Sequence, residues 1–262
     1  MKALINAERV KKLNPIDDDL FRKMAEDINF CQELIQTILE DKSIVVEEIK
    51  PQDYLKNLQG RSVILDLHCM DSKGTHINVE IQKAEDDNHQ KRARYNAACL
   101  TVNYSKTKTK FEEIPDVVII FITKKDYFGK NYTTYHIDRI IRETGETVKN
   151  GLTEIYVNAA IYDGSDISKL MKIFTDNNAY DDIHFPYTSA RKRFFKEDEK
   201  GEKIMCDVMR EVWDEGKLEG KLEGKLSMLI SLVNDGLLDI SEAIKRSGMS
   251  AEEFEQMLVD NK

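Results

Sequence analysis

The chain of 262 residues carries 48 acidic against 39 basic residues, a formal net charge of −9. That excludes a protein that coats nucleic acid by bulk attraction, but not a local basic groove. With 41% hydrophobic and 33% charged residues, the chain buries a core and is too apolar for wholesale disorder. No apolar run approaches the roughly 20 residues that span a bilayer. The charged segment Met1 to Pro15 lacks the apolar stretch of a signal peptide. A soluble, cytoplasmic protein with no membrane partner is expected. Cys31, Cys69, Cys99 and Cys206 have no zinc-finger spacing and read as buried free thiols.

In chain order, Leu20, Met24, Ile28, Cys31, Ile35 and Ile38 recur at helical spacing. They predict one helix from about Asp17 to Asp41. A short strand is expected near Val45 to Ile49. Val63, Leu65, Leu67 and Cys69 then alternate with Ile64, Asp66 and His68. After the turn composition Asp71-Ser72-Lys73-Gly74, Ile77, Val79 and Ile81 alternate with Asn78, Glu80 and Gln82. Period-two alternation on both sides of a turn predicts a β-hairpin. A helix follows from about Asn88 to Lys106. The stretch Lys83 to Lys110 holds seven Lys or Arg against three acids, a local net of +4. The unbroken apolar run from Val117 to Ile122 predicts a strand buried on both faces. Two further strands are expected near Tyr132 to Asp138 and Glu154 to Ile161, then a mainly helical region from about Ile167.

Glu215 to Lys225 reads EGKLEGKLEGK. Leu218, Leu222 and Leu226 form one stripe of a helix and Gly216, Gly220 and Gly224 another. Like charges recur four apart, and each glycine costs roughly 1 kcal/mol relative to alanine. Such a helix needs a partner surface. A homodimer through this arm is one expectation, a flexible tether the other. Ile240 to Leu258 predicts two short helices around Gly248-Met249-Ser250. Their negative charge argues for packing or interaction rather than DNA reading.

The hairpin carries the chemistry. Residues opposed in an antiparallel pair point to one face. The apolar pattern asks Val63, Leu65 and Leu67 to share a face with Ile77, Val79 and Ile81. A tight turn near Lys73 then sets Asp66 opposite Glu80 and His68 opposite Asn78. Two carboxylates about 5 Å apart repel unless something positive sits between them, and a hard divalent cation does so. The alternative is a pair of exposed acids, each neutralised by a lysine.

The order helix, strand, strand with Asp66, strand with Glu80-Ile81-Gln82, helix, strand resembles the PD-(D/E)XK nuclease core. It is closest to the branch of PD-(D/E)XK nuclease family transposases, or Rpn-type recombination-promoting nucleases, which has Gln where the general motif has Lys. Pro15-Ile16-Asp17-Asp18-Asp19-Leu20-Phe21-Arg22 resembles that branch's opening. So do Lys91-Arg92 with Tyr95, Phe121-Ile122-Thr123, Asp126, Phe128-Gly129, Tyr135 to Arg139, Tyr156-Val157-Asn158, Phe195-Lys196-Glu197, Gly201 and Met205-Cys206 at their places, and the glycine-rich arm is typical of it. The resemblance covers roughly residues 13 to 230.

It implies an α/β, restriction-endonuclease-like core (αβββαβ, a mixed central sheet flanked by helices) with a helical C-terminal extension. The domains expected are a nuclease-like domain over 1–200, the glycine-repeat arm over 201–235 and a small helical tail over 236–262. It implies a metal-dependent DNA endonuclease linked to recombination or transposition. Mg²⁺, with Mn²⁺ as an alternative, is its cofactor, and no small-molecule cofactor is expected. Asp66 and Glu80 hold the metal, with the Ile81 carbonyl as a further ligand. Asp18 is an additional acid reaching the site, or else an ordinary helix-start aspartate. Gln82 orients a water but brings no charge. Arg92 holds a phosphate, or else lies on a solvated helix face; Lys83, Lys91 and Arg94 are its companions in contacting DNA. Lys83 alternates away from the metal face unless a bulge turns it. His68 is a general base or, more simply, a strand histidine. The other reading is an inactive nuclease scaffold that binds DNA or protein.

Overall fold

The computed structural model describes residues 8–57, 60–82, 88–108 and 110–260. The chain divides into two compact units, 1–206 and 207–262.

The first unit is built on a six-stranded sheet in the order β1-β2-β3-β4-β6-β5. Its strands are β1 (Val46–Leu55), β2 (Val63–Asp71), β3 (His76–Gln82), β4 (Val117–Thr123), β5 (Thr134–Ile137) and β6 (Leu152–Asn158). β1, β2 and β3 form an antiparallel meander; β4 joins β3 in parallel, β6 joins β4 in parallel, and β5 closes the edge antiparallel to β6. Central β4 is buried along its whole length, as its unbroken apolar sequence requires.

Helices α1 (Asp18–Met24) and α2 (Ile28–Ile38) precede the sheet, and α3 (His89–Tyr104) links β3 to β4. The αβββαβ order thus holds, with one correction: the single helix expected over 17–41 is two. Asp27 breaks it, because its carboxylate accepts the N–H groups of Asn29 and Phe30 and so starts α2. A second correction is the length of β1. It runs through Pro51, which an edge strand tolerates because one side of its ladder is unpaired.

One sheet face packs under α3, where Ala93, Ala97 and Leu100 meet Val117, Ile119 and Phe121. On the other face Cys69 meets Cys31 of α2, and α2 packs in turn on α4 (Asp166–Thr175) and α5 (Pro186–Glu197). Three buried charges tie this helical layer together. Glu33 accepts the N–H groups of Tyr187 (3.2 Å) and Thr188 (2.7 Å), capping α5, whose own cap residue, Phe185, has no side chain to do it. Lys192 Nζ donates to the carbonyls of Ile173 (2.9 Å), Asp176 (2.5 Å) and Ala179 (3.1 Å) at the end of α4. Lys196 Nζ donates to the Leu13 carbonyl (2.8 Å) and to Asn177. At the start of α6 (Glu199–Asn234) only glycine fits at 201, since a Cβ there would lie 2.0 Å from the Phe194 carbonyl oxygen.

In the second unit, Leu229 and Ile230 of α6 form a small core with Ala243 of α7 (Ile240–Ser247) and with Phe254 and Leu258 of α8 (Ala251–Asp260). Gly248, at φ 78°, ends α7 in the left-handed conformation. Ser250 and Glu253 then start α8 as a reciprocal capping box. Among the described residues, no helix is long and apolar enough to cross a membrane.

Burial, with Lys196 beside it, lowers the Lys192 pKa from 10.5 to about 8. The unfolded chain therefore holds the proton more tightly between those values, and Lys192 makes stability rise with pH across that window. Lys192→Met should lack this rise. At pH 7 it should also lose about 1–3 kcal/mol, because three carbonyls forfeit their donor. Urea midpoints of both proteins at neutral and alkaline pH test this; parallel pH dependences would refute it.

Candidate active site

The β2–β3 ladder pairs Leu67 with Val79, His68 with Asn78, Cys69 with Ile77 and Met70 with His76. This is the register expected from the sequence. It stops one residue short of Asp66 and Glu80. There, side chains replace the ladder: Asp66 Oδ2 accepts the Ile81 N–H at 2.9 Å, and Glu80 Oε1 accepts the Asp66 N–H at 3.3 Å.

The ladder stops because the hairpin changes face at this point. His68 packs against Tyr104 of α3, so in a regular strand Leu65 would face the other way. Yet Leu65 lies in the core cluster under α3, with Val63 packed against it. β1 switches at the same level: Lys50 and Asp53, of opposite parity, both reach Tyr104. The β1–β2 register flanks the switch, with Pro51 opposite Leu67 and Asp53 opposite Leu65. Gln52, between them, has φ 53°, strained for a side chain of this kind at about 1–3 kcal/mol. The expectation that Val63 and Leu65 share a face with Leu67 is therefore corrected. Asp66 lies at the switch, turned toward Glu80.

Glu80 is fully buried and its oxygens are all engaged. Oε1 also accepts from Asn78 Nδ2 at 2.9 Å, and Asn78 in turn accepts from Asn96 Nδ2 of α3 at 3.2 Å. Oε2 pairs with Arg92 Nη2 at 2.7 Å. Arg92 Nη1 donates to Gln82 Oε1 at 3.3 Å. Removing one partner of a buried ion pair costs about 3–5 kcal/mol, so Arg92 is what permits a charged Glu80 in this position. Burial first, then the charge of Glu80, pushes the Asp66 pKa up to about 8, with Asp18 adding in the same direction. Burial likewise raises Glu80, opposed by Arg92 and Asn78.

Of the other expected site residues, Asp18 stands at the first position of α1, near enough for its charge to act on Asp66. The structure records the Ile81 N–H, not its carbonyl, at the acid pair. Lys91 and Arg94 are exposed on α3. Lys83 lies outside the described residues. His68 is a poor general base, because both ring nitrogens are engaged: Nδ1 with Asp53 and Nε2 with His76 Nδ1, each at 2.8 Å. Burial lowers both histidines, His76 to about 4. Neutral at pH 7, they fix the tautomers: His68 Nδ1–H donates to Asp53, and His76 Nδ1–H donates to His68. Sequence reasoning missed Asn96 and Tyr104, although Arg92, Asn96 and Tyr104 are spaced four and eight apart on one helix face.

Against known families, the PD-(D/E)XK nuclease family transposase model matches residues 19–169. The chain belongs to this family. No curated protein and no solved structure matches it significantly. The six-stranded mixed sheet with its flanking helices is the fold expected of a PD-(D/E)XK nuclease, and membership assigns a nuclease-type function. Such nucleases generally use divalent metal ions. Among the described residues no cluster of three or more His, Cys, Asp or Glu is set to hold one. The residues that fit are Asp66 and Glu80: adjacent oxygen donors suited to a hard cation, with Glu80 fully buried.

Because Asp66 holds a proton up to about pH 8, a divalent cation binding there must displace it. Metal-induced thermal stabilisation by Mn²⁺ or Mg²⁺ should therefore grow as pH rises toward 8 and level off above. Asp66→Asn should abolish that growth. A shift independent of pH, or equal in the variant, would place the cation elsewhere.

Proposed function

We propose that this protein is a magnesium-dependent DNA endonuclease, with manganese as an alternative ion, acting in recombination or transposition. The observation that carries the proposal is the juxtaposition of Asp66 and Glu80 where the hairpin opens, in a chain of a nuclease family. A divalent cation held by these two carboxylates would supply Lewis acidity at the scissile phosphate and acidify a bound water. The protein's own groups do the rest. Asn78 and Asn96 hold the Glu80 carboxylate in one rotamer. Arg92 sits between Glu80 and Gln82 and brings to the end of β3 the positive charge that a lysine at 82 would have supplied. Gln82 is left to orient a water. The link to mobile DNA rests on the family's name, and four free cysteines suit the reducing cytoplasm.

One observation favours the other reading, an inactive scaffold: Arg92 occupies Glu80 Oε2 at 2.7 Å, where a metal would bind. Nicking of supercoiled plasmid with Mg²⁺ decides. Wild type should nick, and Asp66→Ala and Glu80→Ala prepared in parallel should each lose at least about 100-fold, as expected when metal-held electrostatic stabilisation is removed. No cleavage by wild type, with DNA binding intact, would establish the scaffold.

We further propose that a second copy of the chain covers the arm. Leu218 and Leu222 of α6 are 60% and 49% exposed, a stripe that water disfavours. The glycines permit close approach, and the lysine and glutamate rows are mutually complementary. Light scattering should give twice the 30.3 kDa chain mass, and Leu218→Glu with Leu222→Glu should return it to the monomer. A monomeric wild type would refute this arrangement.

A further inference from the structure

Next to the acid pair, the segment entering β2 and helix α3 enclose a cleft of about 630 Å³. Arg61, Lys91, Arg92 and Arg94 line it, with the amides of Asn88 and Asn96. No carboxylate lines it among the described residues, although the chain carries nine more acids than bases. Arg92 is engaged with Glu80. The side chains of Arg61, Lys91 and Arg94 have no hydrogen bond or ion pair among the described residues, and all three are exposed.

The position of Arg61 is built. Tyr95 of α3 donates its hydroxyl to the Arg61 carbonyl. Asn57 donates to the same hydroxyl at 3.0 Å, and its N–H donates to Ser62 Oγ at 3.1 Å. The strand entry is thus fastened to α3 by its backbone, and the guanidinium is left over. Assembling like charges around one cleft costs energy unless an anion repays it.

We infer that this cleft binds the phosphodiester backbone of duplex DNA beside the scissile phosphate, with Arg61, Lys91 and Arg94 each neutralising a phosphate. The ligand class rests on the proposed nuclease function; the anion specificity rests on the cleft itself. Arg61 is supplied by the β1–β2 connection, outside the basic segment that the sequence marks. A site formed from two elements fixes the direction in which a strand leaves the acid pair.

The test is fluorescence anisotropy of a labelled DNA duplex against the full chain, without added metal, over a salt series. Each phosphate contact contributes about 0.9 to the slope of log affinity against log salt. The slope should fall by about one for Arg61→Gln. It should fall by between two and three for the triple variant Arg61→Gln, Lys91→Gln, Arg94→Gln. Lys149→Gln, an exposed cation away from the cleft, should keep the wild-type slope. Unchanged slope and affinity in the triple variant would overturn the cleft and leave the nuclease reading to the plasmid assay. Wild type that binds with these slopes yet nicks nothing would keep the cleft and remove the nuclease.

Discussion

Two carboxylates on neighbouring strands, Glu80 fully buried and paired with a guanidinium and Asp66 half-buried beside it, are the constraint around which the first unit is arranged. Asp66 and Glu80 repel, and burial penalises both charges. The fold meets this cost by spending donors: the Ile81 and Asp66 N–H groups, the Asn78 amide and Arg92. It also gives up regular structure. The ladder is interrupted, and Gln52 takes a backbone conformation that few side chains adopt. A protein selected for stability alone would put apolar residues here, often at no loss. Retained charge, an opened ladder and local strain in one place are what the proposed catalytic site would be expected to show.

Helix α3 holds this arrangement in register. Along β3 the residues His76, Asn78 and Glu80 are polar yet buried. α3 answers them in order: Tyr104 stacks on His76, Asn96 donates to Asn78 and Arg92 pairs with Glu80. Between these polar contacts, Ala93, Ala97 and Leu100 pack on the apolar part of the same face, where small side chains let the helix come close. A shift of the helix by one residue would misalign all three polar pairs at once. The His68–Asp53 pair and Tyr104 then brace β1 against β2 beside the face switch. Buried, and with His68 engaged at both ring nitrogens, the histidines serve geometry rather than proton transfer.

Much of this was legible in the sequence. The hairpin register followed from alternation and a four-residue turn, because a slip by one would invert every side chain. The order of strands followed from apolar runs, with β4 the plainest. What escaped were departures from period. Val63, Leu65 and Leu67 alternate without interruption, so nothing in the letters marks the change of face at Asp66; it is imposed by packing on both strands together. The strand expected near Val45 to Ile49 runs on to Leu55, because an edge strand accommodates Pro51. The burial of the polar positions His76, Asn78 and Glu80 of β3 was not legible, since alternation reports which residues differ, not which side is wet. The break at Asp27 was hidden inside an apolar periodicity that continued across it. Arg61 was missed because its role depends on Tyr95, 34 residues away.

Charge placement joins these observations. A chain of net charge −9 repels DNA at long range, so an approach must rely on a local field. The cleft beside α3 supplies one, and Arg92 stands at its boundary, shared between the cleft and Glu80. A cation arriving at the acid pair would weaken the hold of Glu80 on Arg92 and free the guanidinium for a phosphate. A phosphate arriving first would draw Arg92 outward and sharpen the negative field at Asp66 and Glu80, favouring the cation. If so, each ligand would lower the cost of binding the other, because the first releases the residue that the second takes up, and linkage makes that help reciprocal. The replacement of lysine by Gln82 then has a physical counterpart. In the proposed nuclease, charge beside the reacting phosphate would come from a helix rather than from β3, on a side chain long enough to exchange partners as the site fills.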